Sequence, residues 1–241
     1  MFSIDEIFSV DFFSLGMSTA LLVLYHMYLI KQTRKDPFYS IQAVNAIART
    51  AWVETMMKPG KPDVIPVQTL RNSTMAATFL ASTAILLIIG VLTLSSQGDK
   101  LGETWHTLNN MAAKQSGLWL VKLMFLLMDM FVAFFSFAMS IRIYNHVGYM
   151  VNVPISLNHQ SISPQHVAMH LNSAGRYYSI GMRAYYFSVP LVFWLFGPYF
   201  MLLSTIALIV VLYNADRAPK ILHDDYREDD IQKPRKILQR A

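Results

Sequence analysis

One long apolar segment, residues 68–94, most strongly constrains how this chain can fold. After Arg71 it carries no charge until Asp99. Because a helix needs roughly 20 apolar residues to cross a bilayer core, the segment predicts a transmembrane helix. Small side chains at helical spacing permit a second helix to approach closely in lipid; they are Ser73, Ala77, Ala81 and Ala84. We therefore expect a central helix that is packed on several sides.

The composition indicates an all-α integral membrane protein. Of the 241 residues, 54% are hydrophobic and only 15% are charged, against roughly 25% charged in soluble domains. The chain has no cysteine, which excludes disulfides and cysteine-ligated metals. Its net charge of +5 is spread beside apolar segments, where basic residues report topology. We expect membrane lipids as partners and no nucleic acid.

The apolar segments predict a bundle of four to five transmembrane helices in a single domain, residues 1–215, followed by a charged tail, residues 216–241. The spans are expected at about residues 12–30, 70–94, 118–142 and 184–213. The last segment has a break at Gly197-Pro198. It is either one tilted helix kinked at the proline or two short helices joined by a turn.

The distribution of basic residues predicts which loops face the cytoplasm. Seven basic residues lie between Lys31 and Arg71, whereas the loop 95–117 has two basic and two acidic residues. By the positive-inside rule, the loops 31–70 and 147–178 are cytoplasmic and the N-terminus is outside. We expect a bacterial inner (plasma) membrane protein. The basic residues of the tail weakly favour five crossings, which would place the tail inside.

Residues 39–57 predict an amphipathic helix in the first cytoplasmic loop. Its apolar side would lie on the inner leaflet, and Arg49 would extend to the headgroups. The alternative is a docking surface for a partner or an anionic lipid. Amphipathic interfacial helices in the cytoplasmic loops are therefore part of the predicted fold.

Four arginines fall at or near the inner ends of the predicted helices: Arg49, Arg71, Arg142 and Arg183. A guanidinium suits bidentate contacts with phosphate or carboxylate. Polar neighbours would complete a cytoplasmic-side site for an anionic ligand or lipid headgroup; they are Gln68, Asn72, Asn145 and Tyr186. The alternative is four independent arginines that each extend to the headgroups.

Two ionisable residues lie inside the third predicted span. Lys122 is near its outer end and can extend to the headgroups, while Asp129 is close to its middle. A charge at that depth is costly and usually faces protein or water. We expect Asp129 to face the protein interior and to accept a hydrogen bond from Ser82 or Thr83, or else to relay protons.

The histidines His166 and His170 form a His-x3-His pair after a helix start at Ser163-Pro164. Such a pair can hold a metal, but only His159 offers itself as a third ligand. A solvated polar face is the simpler interpretation. We therefore expect no metal centre and no cofactor, and we recognise no set of catalytic residues.

Several stretches resemble the DUF599 family of uncharacterised polytopic membrane proteins from bacteria and plants. They are residues 45–52 (NAIARTAW), 67–72 (VQTLRN), Lys122 with 134–137 (FFSF) and 142–145 (RIYN), and 181–187 (GMRAYYF) with 194–198 (WLFGP). The resemblance covers roughly residues 10–215. It implies a fold and no particular reaction, and Asp129 lies outside the family's motifs.

Three classes of function remain open. The small size, the small-residue faces and the lack of a catalytic set favour an accessory or structural subunit of a membrane assembly, or a homo-oligomer. The alternative is a small transporter or channel that uses the cytoplasmic arginines and Asp129, because the Gly197-Pro198 break resembles the interrupted helices of transporters. A membrane enzyme or a metal or haem protein is the third class.

Overall fold

The structure, a computed structural model, describes residues 4–59, 64–96, 116–153 and 162–218. Within them the chain forms six α-helices and no β-strand; they are α1 (Ile4–Lys35), α2 (Ile41–Met56), α3 (Val64–Ser96), α4 (Ser116–Met150), α5 (Pro164–Phe196) and α6 (Pro198–Ala215). Four segments are long and apolar enough to cross a membrane, namely Val10–Lys35, Val64–Ser96, Leu118–Met150 and Pro198–Ala215. The predicted all-α membrane fold is confirmed.

The centre of the bundle is formed by α4 and α5. Helix α3 packs along α4, α2 packs on α5, and α6 contacts both α5 and α1. The expectation that residues 68–94 form the central helix is therefore wrong. Ala81 and Ala84 are buried against α4 and α5, but Phe79 on another side of α3 is 74% exposed. Lipid tails are as apolar as leucine, so an apolar helix needs protein on one side only.

Gly197 separates α5 from α6 and lets the chain reverse. Its φ of 148° lies in the region that favours glycine. Pro198 then opens α6, where its missing N–H costs nothing. The last segment is therefore two helices, as one of the two interpretations proposed, although α5 is not short. It begins at Pro164, directly after Ser163, whose side chain accepts the His166 N–H.

The end of α6 lies beside the start of α2. The backbone N–H of Ile41 donates to the Asp216 carbonyl at 3.0 Å, and the Ala218 N–H donates to the Tyr39 carbonyl at 3.0 Å. The Tyr25 hydroxyl, on α1, donates to the Asp216 carboxylate at 2.8 Å. The C-terminal ends of α1 and α6 are therefore at the same end of the bundle.

We predict that the tail after residue 218 is on the same side of the membrane as the loop after α1. Single cysteines at Lys35 and Lys220 should both be protected from a membrane-impermeant maleimide in intact cells, and both should react after permeabilisation. A cysteine at Gln97, in the loop expected outside, should react in intact cells. The chain has no cysteine of its own, so background labelling is absent. Protection of only one of the first two positions would contradict the α5–α6 reversal.

A buried ion pair joins α1, α4 and α5 near the Gly197 turn. The Lys122 Nζ atom is 2.8 Å from Asp11 Oδ1 and donates to the Trp194 carbonyl at 3.2 Å. The Trp194 indole N–H donates to the same Asp11 oxygen at 2.8 Å. All three residues are buried. Lys122 therefore does not extend to the headgroups as expected, because a carboxylate from α1 reaches it inside the protein.

We predict that Lys122→Met strongly destabilises the protein. Removing one partner of a buried ion pair costs roughly 3–5 kcal/mol, because the other charge is left buried without compensation. The double variant Asp11→Asn/Lys122→Met should recover most of this loss, since asparagine keeps an oxygen for the Trp194 N–H and has no charge. Thermal unfolding in detergent measures both. Equal destabilisation of the single and double variants would show that the unpaired carboxylate is not the cause.

Candidate functional site

A cavity of about 310 Å³ lies where α2, α3, α4 and α5 meet. A water molecule in the liquid occupies about 30 Å³, so the cavity has room for a chemical group much larger than one water. The side chains with polar atoms that line it are Asn45, Arg49, Trp52, Thr69, Ser73 and Tyr144. The cavity is therefore the first candidate for a ligand site.

Arg49 is positioned by the way α2 packs on α5. Ser40 caps the start of α2 by accepting the Ala43 N–H, and the buried side chains of Val44 and Val53 fix its rotation. Arg49 Nε then donates to the Asn172 side-chain oxygen at 2.9 Å. These contacts hold the guanidinium between α2 and α5, at the wall of the cavity.

Two residues of α5, Asn172 and Gly175, hold this guanidinium in place. The Asn172 amide also donates to the Thr50 hydroxyl at 3.0 Å, so α2 fixes both ends of the amide. At Gly175, an added Cβ atom would lie 2.7 Å from Arg49 Cζ. The absence of a side chain at Gly175 thus lets the guanidinium lie directly against the α5 backbone.

Within the described part of the chain, no carboxylate forms an ion pair with the positive charge of Arg49. Among the residues that the structure describes, the two ion pairs are Lys122–Asp11 and Arg183–Asp216. Burial lowers the pKa of the Arg49 guanidinium, although the residue Tyr144 opposes this shift. A guanidinium has five N–H donors, and the hydrogen bond to Asn172 uses one of them. A half-buried cation with unused donors beside a cavity is suited to bind an anion.

Arg183 differs from Arg49 because its charge is matched inside the protein. Its Nη2 atom donates to Asp216 Oδ1 at 3.1 Å, and its Nη1 atom is 2.9 Å from His26 Nε2. The cluster joins α1, α5 and the end of α6. Sequence reasoning missed Asp216, which it had assigned to the charged tail. In the sequence, Asp216 stands out as the first charged residue after the uncharged segment 184–215.

The remaining residues of the predicted arginine site are exposed and do not line the cavity: Gln68, Arg71, Asn72, Arg142, Asn145 and Tyr186. The cavity is lined instead by their sequence neighbours Thr69, Ser73 and Tyr144. One residue corresponds to a rotation of about 100° around a helix. Gln68, Asn72 and Asn145 are therefore next to cavity-lining residues in the sequence but lie on other faces of their helices.

Asp129 is half-buried on α4. Its Oδ2 atom is buried and has no hydrogen-bond partner within the described part of the chain. Thr83, one of the two expected donors, instead donates to the Phe79 carbonyl of its own helix, and Ser82 is exposed. The expected hydrogen bond is therefore absent among these residues.

The two histidines of the His-x3-His pair meet on α5. Their Nε2 atoms are 3.0 Å apart, and the ring of His146, from α4, lies beside the ring of His170. His159, the third ligand considered from the sequence, lies outside the described residues. In the described ranges, no three His, Cys, Asp or Glu side chains converge on one metal position in their present rotamers.

Comparison with known proteins places these features in a family. The family model for DUF599, a protein of unknown function, matches residues 13–221. The chain belongs to the DUF599 family. No curated protein and no solved structure matches it. The match includes the Arg49 cavity and the Arg183–Asp216 pair, so the DUF599 region contains both arginine environments.

We predict that Arg183 and Asp216 stabilise this DUF599 protein as a unit. Arg183→Gln and Asp216→Asn should each lower the unfolding temperature in detergent, because each leaves a charge in the cluster without its partner. The double variant should lose less than the two single losses combined, since both changes remove one shared interaction. Arg71→Gln, at an exposed residue with no side-chain partner in the described ranges, is the matched control. Strictly additive losses would contradict the pairing.

Proposed function

We propose that the protein is an accessory subunit of a membrane assembly, or a homo-oligomer, that binds the phosphate headgroup of an anionic lipid in the Arg49 cavity. One observation carries the proposal: Arg49 is a half-buried cation that faces a cavity and has a neutral amide as its partner. A buried charge without compensation is costly. A bound anion would supply the missing charge.

The chemistry of the cavity supports a phosphate-bearing ligand. The planar guanidinium can donate two parallel hydrogen bonds to phosphate oxygens. The Asn45 amide and the Tyr144 hydroxyl, both in the cavity wall, offer further donors. Trp52 and Leu171 add apolar surface, which suits the glycerol and upper acyl carbons of a lipid. Tryptophan is also typical of the membrane–water interface.

The positions of α2 and of the basic residues at the end of α1 support a lipid as the source of the phosphate. Helix α2, which carries Arg49, lies in the chain between two apolar segments long enough to cross a membrane. Lys31, Arg34 and Lys35, at the end of α1, line a second cavity of about 380 Å³. Basic residues beside a span are typical of the cytoplasmic side, where anionic lipids give the leaflet a negative potential.

The Gly197-Pro198 break no longer supports the transporter alternative. Gly197-Pro198 is the turn at which α6 reverses along α5, and it does not interrupt a single spanning helix. Arg183 is also engaged with Asp216, which leaves fewer free cations to line a path. These observations favour a binding role over transport.

We predict that Arg49→Gln reduces retention of phosphatidylglycerol by roughly tenfold or more. A hydrogen bond to a charged group contributes about 1.5–3 kcal/mol, and 1.4 kcal/mol is a factor of ten. Native mass spectrometry of the detergent-solubilised protein with added phosphatidylglycerol or phosphatidylethanolamine measures the loss, and thermal unfolding confirms that the variant is folded. Arg49→Lys should fall between, because lysine keeps the charge and lacks the planar fork.

Controls separate the lipid site from general surface charge. Arg71→Gln removes an equal charge from an exposed position and should leave retention unchanged. Soluble glycerol phosphate, added as a competitor, shows whether the headgroup alone is bound. Equal loss in Arg49→Gln and Arg71→Gln would overturn the proposed lipid site. A native mass of one chain, with no copurifying protein, would overturn the proposed assembly role.

A further inference from the structure

Three imidazole side chains meet where the end of α4 lies beside the start of α5. His166 and His170 are one helical turn apart on α5, and their Nε2 atoms are separated by 3.0 Å. The ring centroids of His170 and His146 are 5.8 Å apart, and the two rings are nearly perpendicular at 79°. The cluster is remote in sequence from Arg49 and is not used by the proposed lipid site.

The first two imidazoles already have a spacing that suits a shared metal ion. With metal–nitrogen bonds of about 2.0–2.1 Å and tetrahedral angles, two ligand nitrogens are about 3.3 Å apart. The observed 3.0 Å between His166 Nε2 and His170 Nε2 differs from this by a few tenths of an ångström. The ring centroids are 4.7 Å apart and the rings are tilted by 66°. The two nitrogens are within hydrogen-bonding distance of each other, and a bound metal ion would replace that contact.

The third imidazole is close enough to join them by side-chain rotation. Two imidazoles on one tetrahedral metal have ring centroids about 5 Å apart, against the 5.8 Å between His146 and His170. His146 is exposed, so its ring can turn without disturbing the core. Its neighbour Val147 is fully buried and keeps the α4 backbone in place. The present rotamers do not converge, and the rotation of one exposed ring would bring them together.

The ligand type indicates which metals would bind. Imidazoles are neutral above their ordinary pKa of about 6.5, and neutral imidazole suits zinc, copper and nickel better than magnesium or calcium. We propose that His146, His166 and His170 bind one divalent transition metal ion, Zn²⁺, Cu²⁺ or Ni²⁺, which ties the end of α4 to the start of α5. The two central helices of the bundle would then be cross-linked at this end.

The test uses the full-length protein without an affinity tag, purified in detergent and freed of metal by a chelator. Zn²⁺ should bind with a stoichiometry of one in calorimetry and should raise the unfolding temperature, because a ligand that binds only the folded state stabilises it. His146→Ala and His170→Ala should each weaken binding by tenfold or more and remove the thermal shift. His106→Ala, at a histidine of the loop 95–117, should behave like the unchanged protein.

The spectrum of bound Cu²⁺ supplies a second readout. Electron paramagnetic resonance should show nitrogen ligands in the unchanged protein, and the number of nitrogens should fall in His146→Ala. Binding that is insensitive to His146→Ala would overturn the three-ligand site in favour of the His166–His170 pair alone. Absence of saturable binding would overturn the site altogether. Unfolding temperatures of the metal-free variants, if unchanged, exclude misfolding as the cause of any loss.

Discussion

The cost of burying a charge without a counter-charge decides how the helices of this bundle meet. Asp11 reaches Lys122 near one end of α1, and Tyr25 reaches Asp216 farther along the same helix. Buried ion pairs contribute little net stability, since desolvation offsets their attraction. What they contribute here is placement. These two polar contacts join α1 to α4, α5 and the end of α6, and they act together with the apolar cluster that Tyr25 forms with Leu208 and Leu212 of α6.

Helix α5 shows the same constraint at the centre of the bundle. It is as long as α3, yet it is not among the four segments apolar enough to cross a membrane. One of its faces carries Asn172, Ser179 and Arg183. Asn172 and Ser179 form hydrogen bonds with side chains of α2, and Arg183 binds Asp216 at the end of α6. A helix can carry such a polar face where neighbouring helices supply its hydrogen-bond partners, even though α5 is exposed on another side, at Met169 and Val189. Part of the low hydropathy of α5 therefore comes from polar residues that bind other elements of the bundle.

The sequence predicted the all-α membrane fold, the helix start at Ser163 and the break at Gly197, because each has a local cause: hydropathy, capping or backbone conformation. It predicted the packed face of α3 from its small residues, and Ala77, Ala81 and Ala84 are indeed buried, but it did not predict which faces of the other helices meet. In a soluble helix, polar residues mark the outer face, but lipid-facing and protein-facing sides of a membrane helix are both apolar. On α3, however, the small side chains did mark the packed face. Arg71 was chosen for the ligand site by residue type, whereas Ser73, on that predicted face, lines the cavity.

Partners that lie far apart in sequence were missed for a related reason. Neither Asp11 nor Asp216 belongs to a motif, and only the packed bundle brings them to Lys122 and Arg183. Lys122 and Arg183 therefore have similar surroundings, as expected of cations with a structural role. The buried Lys122 and the half-buried Arg183 each receive a carboxylate from another part of the chain and at least one further polar contact.

Arg49 departs from this pattern, because it forms no ion pair with a carboxylate of the described residues. Gly175, which admits its guanidinium, lies two helical turns before Arg183 on α5. At Arg183 the fold provides a carboxylate and an imidazole. At Arg49 the described residues provide one amide and an open cavity. A structural arginine gains nothing from that arrangement, because its desolvation is not offset by a counter-charge. A binding arginine does gain, because an anion can enter the cavity and complete the pair. The contrast between Arg183 on α5 and Arg49, which α2 places against α5, is therefore the strongest support for the proposal that an anion binds at Arg49.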